Sequence, residues 1–316
     1  MYEKGKGVPQ DYKTAVKWYR LAAKQGNAIA QFNLGLMYEN GRGVPRDYKA
    51  ALKWYRLTAD QGEANASFNL GLMYRQGKGV PKDDKTAVKW YRLAAEQGNA
   101  DAQYLLAAMY NDGKSIPKDD KTAVKWYRLA AEQGHADAQY NLAVMYNEGN
   151  GVHRDVNTAV KWFKLAAERG HVDAQYNLAV MYNEGNGVYR DDNTAVKWFK
   201  LAAEQGDADA QYNLGLKYDK GQGVSQDYMT AVKWFRLAAE QGNAKAQGNL
   251  GLMYAFGNGV LKDYVYTHMW ANIAAANGDK IGAKLRDDFE KEMTPADISA
   301  AQKLARECIR KKYKGC

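Results

Sequence analysis

Between Ala28 and Gly62, apolar side chains recur at steps of three and four residues in two runs. The polar, glycine-rich stretch Gly41-Arg42-Gly43-Val44-Pro45-Arg46-Asp47 separates them. That spacing puts the apolar groups on one face of a helix, and neither run alternates as a strand would. In the first run Ala30, Leu34, Gly35 and Tyr38 recur as Ala138, Leu142, Ala143 and Tyr146, with the third position always small: Gly35, Gly71, Ala107, Ala143, Ala179, Gly215, Gly251. A small residue there predicts close approach of the paired helix. The second run opens on an acid at Asp11, Asp47, Asp83, Asp119, Asp155, Asp191, Asp227 and Asp263, where a carboxylate accepts from exposed amides and favours the positive helix end. It closes at Gly26, Gly62, Gly98, Gly134, Gly170, Gly206, Gly242 and Gly278, each suited to a left-handed cap. Proline at Pro9, Pro45, Pro81 and Pro117 stops the first helix from continuing.

The two-helix unit repeats. Tryptophan falls at Trp18, Trp54, Trp90, Trp126, Trp162, Trp198, Trp234 and Trp270, every 36 residues and nowhere else. A fixed period of this length marks an array of one supersecondary unit stacked on copies of itself. Each tryptophan lies midway along the second helix, three residues after a small one such as Ala15, Ala51 or Ala87. A buried indole removes roughly 150–250 Å² from water, on the order of 4–6 kcal/mol before entropy is subtracted. The rings are therefore expected in the core, locking each unit to its neighbour.

The stretch Ala136 to Val152, ADAQYNLAVMYNEGNGV, followed by Asp155 and by Ala159 to Glu168, AVKWFKLAAE, resembles the Sel-like repeat (SLR) family, a relative of tetratricopeptide repeats. The likeness runs from residue 1 to about 278. It implies an all-α fold, a right-handed α/α superhelical solenoid of helix-turn-helix repeats, with the first helices lining the concave side. It also implies a protein-binding scaffold or adaptor, and, since bacterial members are often exported or act at a host interface, a periplasmic or extracellular setting.

The pattern gives one elongated repeat array, residues 1–278, followed by a helical cap and basic tail, residues 279–316, with no linker between them. Residues 279–292 read as a polar helix in place of the next first helix. Thr294-Pro295-Ala296-Asp297 then starts another, whose Ile298, Ala301, Leu304, Ala305 and Cys308 share one side and are expected to pack back on the array. At the other end, Met1 to Val8 aligns with Met37 to Val44, so the sequence is expected to begin inside a repeat. A leader could precede it, and its absence here is uninformative. An apolar face is then expected beside Trp18, available for self-association.

Composition narrows the chemistry. No apolar stretch is long enough to span a bilayer. The two cysteines, Cys308 and Cys316, leave an oxidised pair and two free thiols both open, and Cys308 reads as a packing residue. The histidines His135, His153, His171 and His268 are too scattered for a metal-binding helix motif, and no cofactor is expected. Ser115-Ile116-Pro117-Lys118 fits the serine-xx-lysine pattern of penicillin-binding enzymes, but it aligns with the loop Gly79-Val80-Pro81-Lys82, and neither companion motif is present. The resemblance adds that a cysteine-rich branch of the family has been linked to β-lactamase-type activity, but this chain lacks that branch's paired repeat cysteines. An enzyme is not expected; a β-lactam hydrolase using Ser115 is the alternative.

The net charge of +9 divides between two faces. On the second helices, Lys13, Lys17 and Arg20, or Lys121, Lys125 and Arg128, form an outward basic stripe tempered by Glu96 and Glu132. Without interleaved exposed aromatics this reads as a solvated face, and nucleic acid or an anionic surface is the lesser expectation. The first helices carry Tyr140, Asn141, Asn147 and Glu148, which recur as Tyr176, Asn177, Asn183 and Glu184 and continue as Tyr212, Asn213 and Asp219, with Asp137, Asp173 and Asp209 at the helix entrances. Under the family geometry these residues line a groove centred on residues 137–219, with aromatic contact, amides for a peptide backbone and acids for a basic partner. The expected function is a non-enzymatic scaffold binding an extended or basic peptide there.

Overall fold

The computed structural model describes residues 2–3 and 9–316. Most of the partial repeat read at Met1–Val8 lies outside the described residues. Among these there are seventeen helices and no strand. The chain divides into two compact units, Met1–Asp155 and Val156–Cys316. In the first, second-type helices α1 (Tyr12–Lys24), α3 (Tyr48–Ala59), α5 (Asp84–Glu96) and α7 (Asp120–Glu132) alternate with first-type helices α2 (Ala28–Asn40), α4 (Ala64–Gln76), α6 (Ala100–Asp112) and α8 (Ala136–Glu148). In the second, α9 (Val156–Glu168), α11 (Asp192–Glu204), α13 (Tyr228–Glu240) and α15 (Tyr264–Ala276) alternate with α10 (Val172–Glu184), α12 (Ala208–Lys220) and α14 (Ala244–Phe256), and then come α16 (Lys280–Glu290) and α17 (Pro295–Arg310). This is the all-α solenoid fold of 36-residue helix-turn-helix repeats that the periodicity predicts.

The punctuation works as read. Asp119 Oδ1 accepts from the Thr122 amide and Oδ2 from the Thr122 hydroxyl, and Asp11, Asp83, Asp191 and Asp227 repeat both bonds with Thr14, Thr86, Thr194 and Thr230. Those bonds hold the Asp119 carboxyl below its usual range. The glycines closing the second helices are left-handed, as at Gly98 with φ 88°. The small position on the first helix has a direct cause: a Cβ on Gly71 would stand 2.5 Å from Tyr91, and one on Gly215 would stand 2.7 Å from Phe235.

Those contacts correct the expectation for the tryptophans. In the repeats closed by α3, α5, α7, α11 and α13 the fully buried ring is the residue after the indole: Tyr55, Tyr91, Tyr127, Phe199 and Phe235 are at most 2% exposed. Trp54, Trp90, Trp126 and Trp234 are only half-buried and lie over the core of the preceding repeat, and Trp198 is half-buried against that of its own, while Trp18 is 61% exposed and Trp270 alone is fully buried. Helical geometry explains the difference. One residue turns the side chain by about 100°, so the ring facing the small position of the first helix cannot be the indole beside it, which is left at the seam between second helices.

A buried glutamine adds a stitch between repeats. Gln103 Nε2 donates to Ala95 O on α5 at 3.0 Å, and its Oε1 accepts from Gln133 after α7 at 2.8 Å; Gln31, Gln175 and Gln211 do the same in their repeats. In the α3–α5 repeat Ser67 takes this place, and its buried hydroxyl has no partner. At the C-terminal end α17 packs on α15, burying Ala301, Ala305 and Cys308, with Thr294 accepting from the Asp297 amide as its cap. Cys308 and Cys316 form a disulfide, which selects the oxidised pair of the two alternatives.

Candidate binding faces

The first-helix residues are positioned by the same packing that builds the repeat. Tyr176 leans on the core ring Phe199 and Tyr212 on Phe235, each pair with centroids 6.0 Å apart, so the tyrosines are half-buried props of the core as well as surface. Asn141, Asn177 and Asn213 donate to the carbonyls of Asp137, Asp173 and Asp209, four residues back along their own helices. Asn213 also bonds the Tyr176 hydroxyl of the preceding repeat, and Asn141 that of Tyr104. The amide row is therefore engaged with its own helices, and the exposed groups of this face include the carboxylates Asp137, Asp173, Asp209, Glu148 and Glu184, of which Asp209 accepts from Asn243 and Glu148 from Asn150.

Within the second unit these acids crowd one another. Asp207 caps α12 through the Ala210 amide. Burial first, and then the nearby Asp209 and Asp173, push its carboxyl above the usual range. Burial, with Asp209 and Asp207 close by, likewise raises the Tyr176 phenol. Asn183 has a role that the sequence did not reveal. It faces Lys217, which occupies the position of Met37, Met73, Met109, Met145, Met181 and Met253 and is 4% exposed. Lys217 Nζ donates to Asn183 Oδ1 and, at 2.7 Å, to Asp192 Oδ1 at the start of α11. That bond holds the Asp192 carboxyl below its usual range. A lysine within a row of methionines was the available signal.

The second-helix face carries the basic stripe, and its partners differ between units. In the first unit, Arg20 and Arg92 donate to the hydroxyls of Tyr38 and Tyr110, at 2.7 and 2.5 Å, and Arg128 to that of Tyr146. Arg56 lies over the Trp90 ring, 5.9 Å from its centroid. In the second unit Arg236 likewise donates to the Tyr254 hydroxyl at 2.9 Å, whereas Lys164 and Lys200 pair with Glu168 and Glu204 one turn on. A leucine three residues after the indole is exposed in six successive repeats, at Leu57, Leu93, Leu129, Leu165, Leu201 and Leu237.

The serine-lysine pair is not assembled as an enzyme would need. Ser115 Oγ donates to Asp84 Oδ2 at 2.9 Å, and Lys118 pairs with Asp120 at 3.4 Å, so each group is committed to a different carboxylate. His135 and His171 are caps: their Nδ1 atoms accept from the Ala138 and Ala174 amides, as Asn99 does for Ala102. Among the described residues no group of three or more metal-ligating side chains converges, and no helix is long and apolar enough to cross a membrane.

Two-helix units of constant length, joined through the same buried positions, define an α/α repeat protein. The Sel1 repeat profile matches residues 1–27, 28–63, 64–99, 100–135, 136–171, 172–207, 208–243 and 244–279, and the chain belongs to the Sel1 repeat family. It is similar to a Sel1 repeat protein of known structure from Oxalobacter formigenes, at 38% identity over 86% of this chain and 79% of that one, with a TM-score of 0.66. It is also similar to c5321, a protective antigen present in uropathogenic Escherichia coli strains and displaying an SLR fold, at 33% identity over 99% of this chain and 83% of that one, with a TM-score of 0.50. No curated protein matches. Sel1 repeat proteins are generally protein–protein interaction scaffolds, typically without enzymatic activity.

Proposed function

We propose that this protein is a non-enzymatic scaffold that binds an extended, basic segment of a partner protein on its first-helix faces. In the second unit the binding residues are Tyr176, Asn177, Asn183, Glu184, Tyr212 and Asn213; Tyr140, Asn141, Asn147 and Glu148 are their equivalents in the first. The observation that carries the reading is the gathering of Asp173, Asp207 and Asp209 at the entrances of neighbouring first helices, where Asp209 and Asp173 add to burial in raising the Asp207 carboxyl. A Lys- or Arg-rich segment relieves that repulsion, and the tyrosine rings give it flat apolar contact. Asn141, Asn177 and Asn213 are tied to their own helices, and Asn183 is held by Lys217. The basic peptide is thus read chiefly by carboxylates and rings. The exposed apolar end at Trp18, Leu21 and Ile29 is proposed to pair with a second copy.

The test is titration of a fluorescein-labelled oligolysine-tyrosine peptide against the full chain at two salt concentrations. Binding should weaken with salt and fall in Glu184→Lys, with Glu148→Lys as the matching probe of the first unit. Salt-insensitive binding, or binding that neither charge reversal changes, removes the reading.

A further inference from the structure

The second-helix face of the first unit has an unusual combination of features at the seam of α3 and α5. A surface cavity of about 600 Å³ lies there, with Arg56, Lys89, Trp90, Arg92 and Leu93 in its wall. Among the described residues its cations make no close ion pair: Arg92 is bonded to the neutral Tyr110 hydroxyl, Arg56 rests on the Trp90 ring, Lys89 feels Asp83 only at longer range, and Glu96 in the same wall pairs with none of them. The second unit shows the alternative, since glutamates one turn on neutralise Lys164 and Lys200. Leu57 and Leu93 are 39% and 36% exposed beside these charges. Uncompensated arginine, a half-exposed indole and exposed leucine at one cavity make up the composition found at the centres of protein interfaces.

We propose that this seam is a second docking surface, separate from the acidic first-helix face, and that it takes an acidic amphipathic segment of a partner protein. The apolar side of the segment sits on Leu57, Leu93 and the free edge of Trp90, and its carboxylates meet Arg56, Lys89 and Arg92. A protein segment fits better than a nucleic acid for two reasons. Exposed leucines offer nothing to a phosphate backbone. The ring face on which a base would stack is already covered by the Arg56 guanidinium.

The experiment measures fluorescence anisotropy of a labelled amphipathic peptide of Glu and Leu in helical register against the full chain, beside labelled oligothymidylate. The expected result is saturable, salt-weakened peptide binding, with Kd raised about tenfold or more by the double reversal Lys89→Glu, Arg92→Glu and several-fold by Leu93→Ser. Glu184→Lys, on the first-helix face, should leave it unchanged. Where the double reversal unfolds the chain in a thermal melt, Lys89→Gln, Arg92→Gln replaces it with the same expected direction. No peptide binding overturns the proposal, as does binding unaffected by Leu93→Ser. Oligothymidylate binding tighter than the peptide and lost in the same charge variants also overturns it, and assigns the face to nucleic acid.

Discussion

At the scale of single residues, Lys217 is the sharpest departure from the repeat. A buried ammonium is retained because Asp192 and Asn183 both accept from it, yet the six other described repeats with this position place methionine there. Replacing a buried ion pair by an apolar side chain of similar volume is often neutral or stabilising, by about 1–4 kcal/mol, whereas removing one partner costs about 3–5 kcal/mol. Lys217→Met leaves Asp192 partly exposed and still paired with Arg190, so it strands no buried charge and should melt at or above the parent temperature, whereas Asp192→Asn strands the buried ammonium and should melt well below it. The pair also sets a pH dependence. Because Lys217 holds the Asp192 carboxyl below its usual range, the resulting stability is present above the unfolded carboxylate pKa of about 3.9 and is lost as pH falls through the lower folded value. Denaturant midpoints measured from neutral pH into acid should fall less steeply in Lys217→Met. Equal slopes would show that the pair contributes no linked stability.

At the scale of elements, the glutamine stitch shows what joins one helix pair to the next, and the α3–α5 repeat shows the cost of omitting it. Ser67 is too short to reach either partner, and Thr58 stands where Ala22 and Ala94 stand in the flanking repeats, its hydroxyl turned to Trp54 O. Thr58→Ala with Ser67→Gln should restore bonds to Ala59 O and Gln97, at about 0.5–1.5 kcal/mol each. Ser67→Gln alone should gain less, because the threonine methyl occupies space the longer side chain needs. Urea midpoints of the single and double variants decide this, and a double variant no better than the parent would refute it. The helices and their caps were legible in the sequence because Asp, Gly and Pro act locally, through the backbone of their own turn. Which ring enters the core was not, since Trp90 and Tyr91 are adjacent apolar residues separated by one helical step, and only the depth of the facing Gly71 distinguishes them. The asparagines were misleading for a related reason: a polar residue on an exposed face looks available, whereas Asn177 and Asn213 each bond a carbonyl one turn away.

At the scale of the whole molecule, a repeat chain has no single core, and each unit answers mainly to its neighbours. The first-helix acids and second-helix cations can thus evolve as separate faces, and a perturbation at one end should remain local. The Cys308–Cys316 disulfide offers the cleanest trial. It holds a tail in which Tyr313 donates to Asn277 Oδ1 at 3.1 Å and the Gly315 amide to Glu240 Oε1 at 3.4 Å, while Tyr313 and Cys316 lie against the cluster containing Phe235 and Trp270. Closing so short a loop is worth about 2–3 kcal/mol by chain entropy, and reduction returns that freedom to the tail. Hydrogen exchange with and without reductant should show protection falling in α15, α16 and α17 and unchanged in α3, α5 and α7. If exchange instead accelerates evenly along the chain, the repeats unfold as one cooperative body and the nearest-neighbour account of this array is wrong.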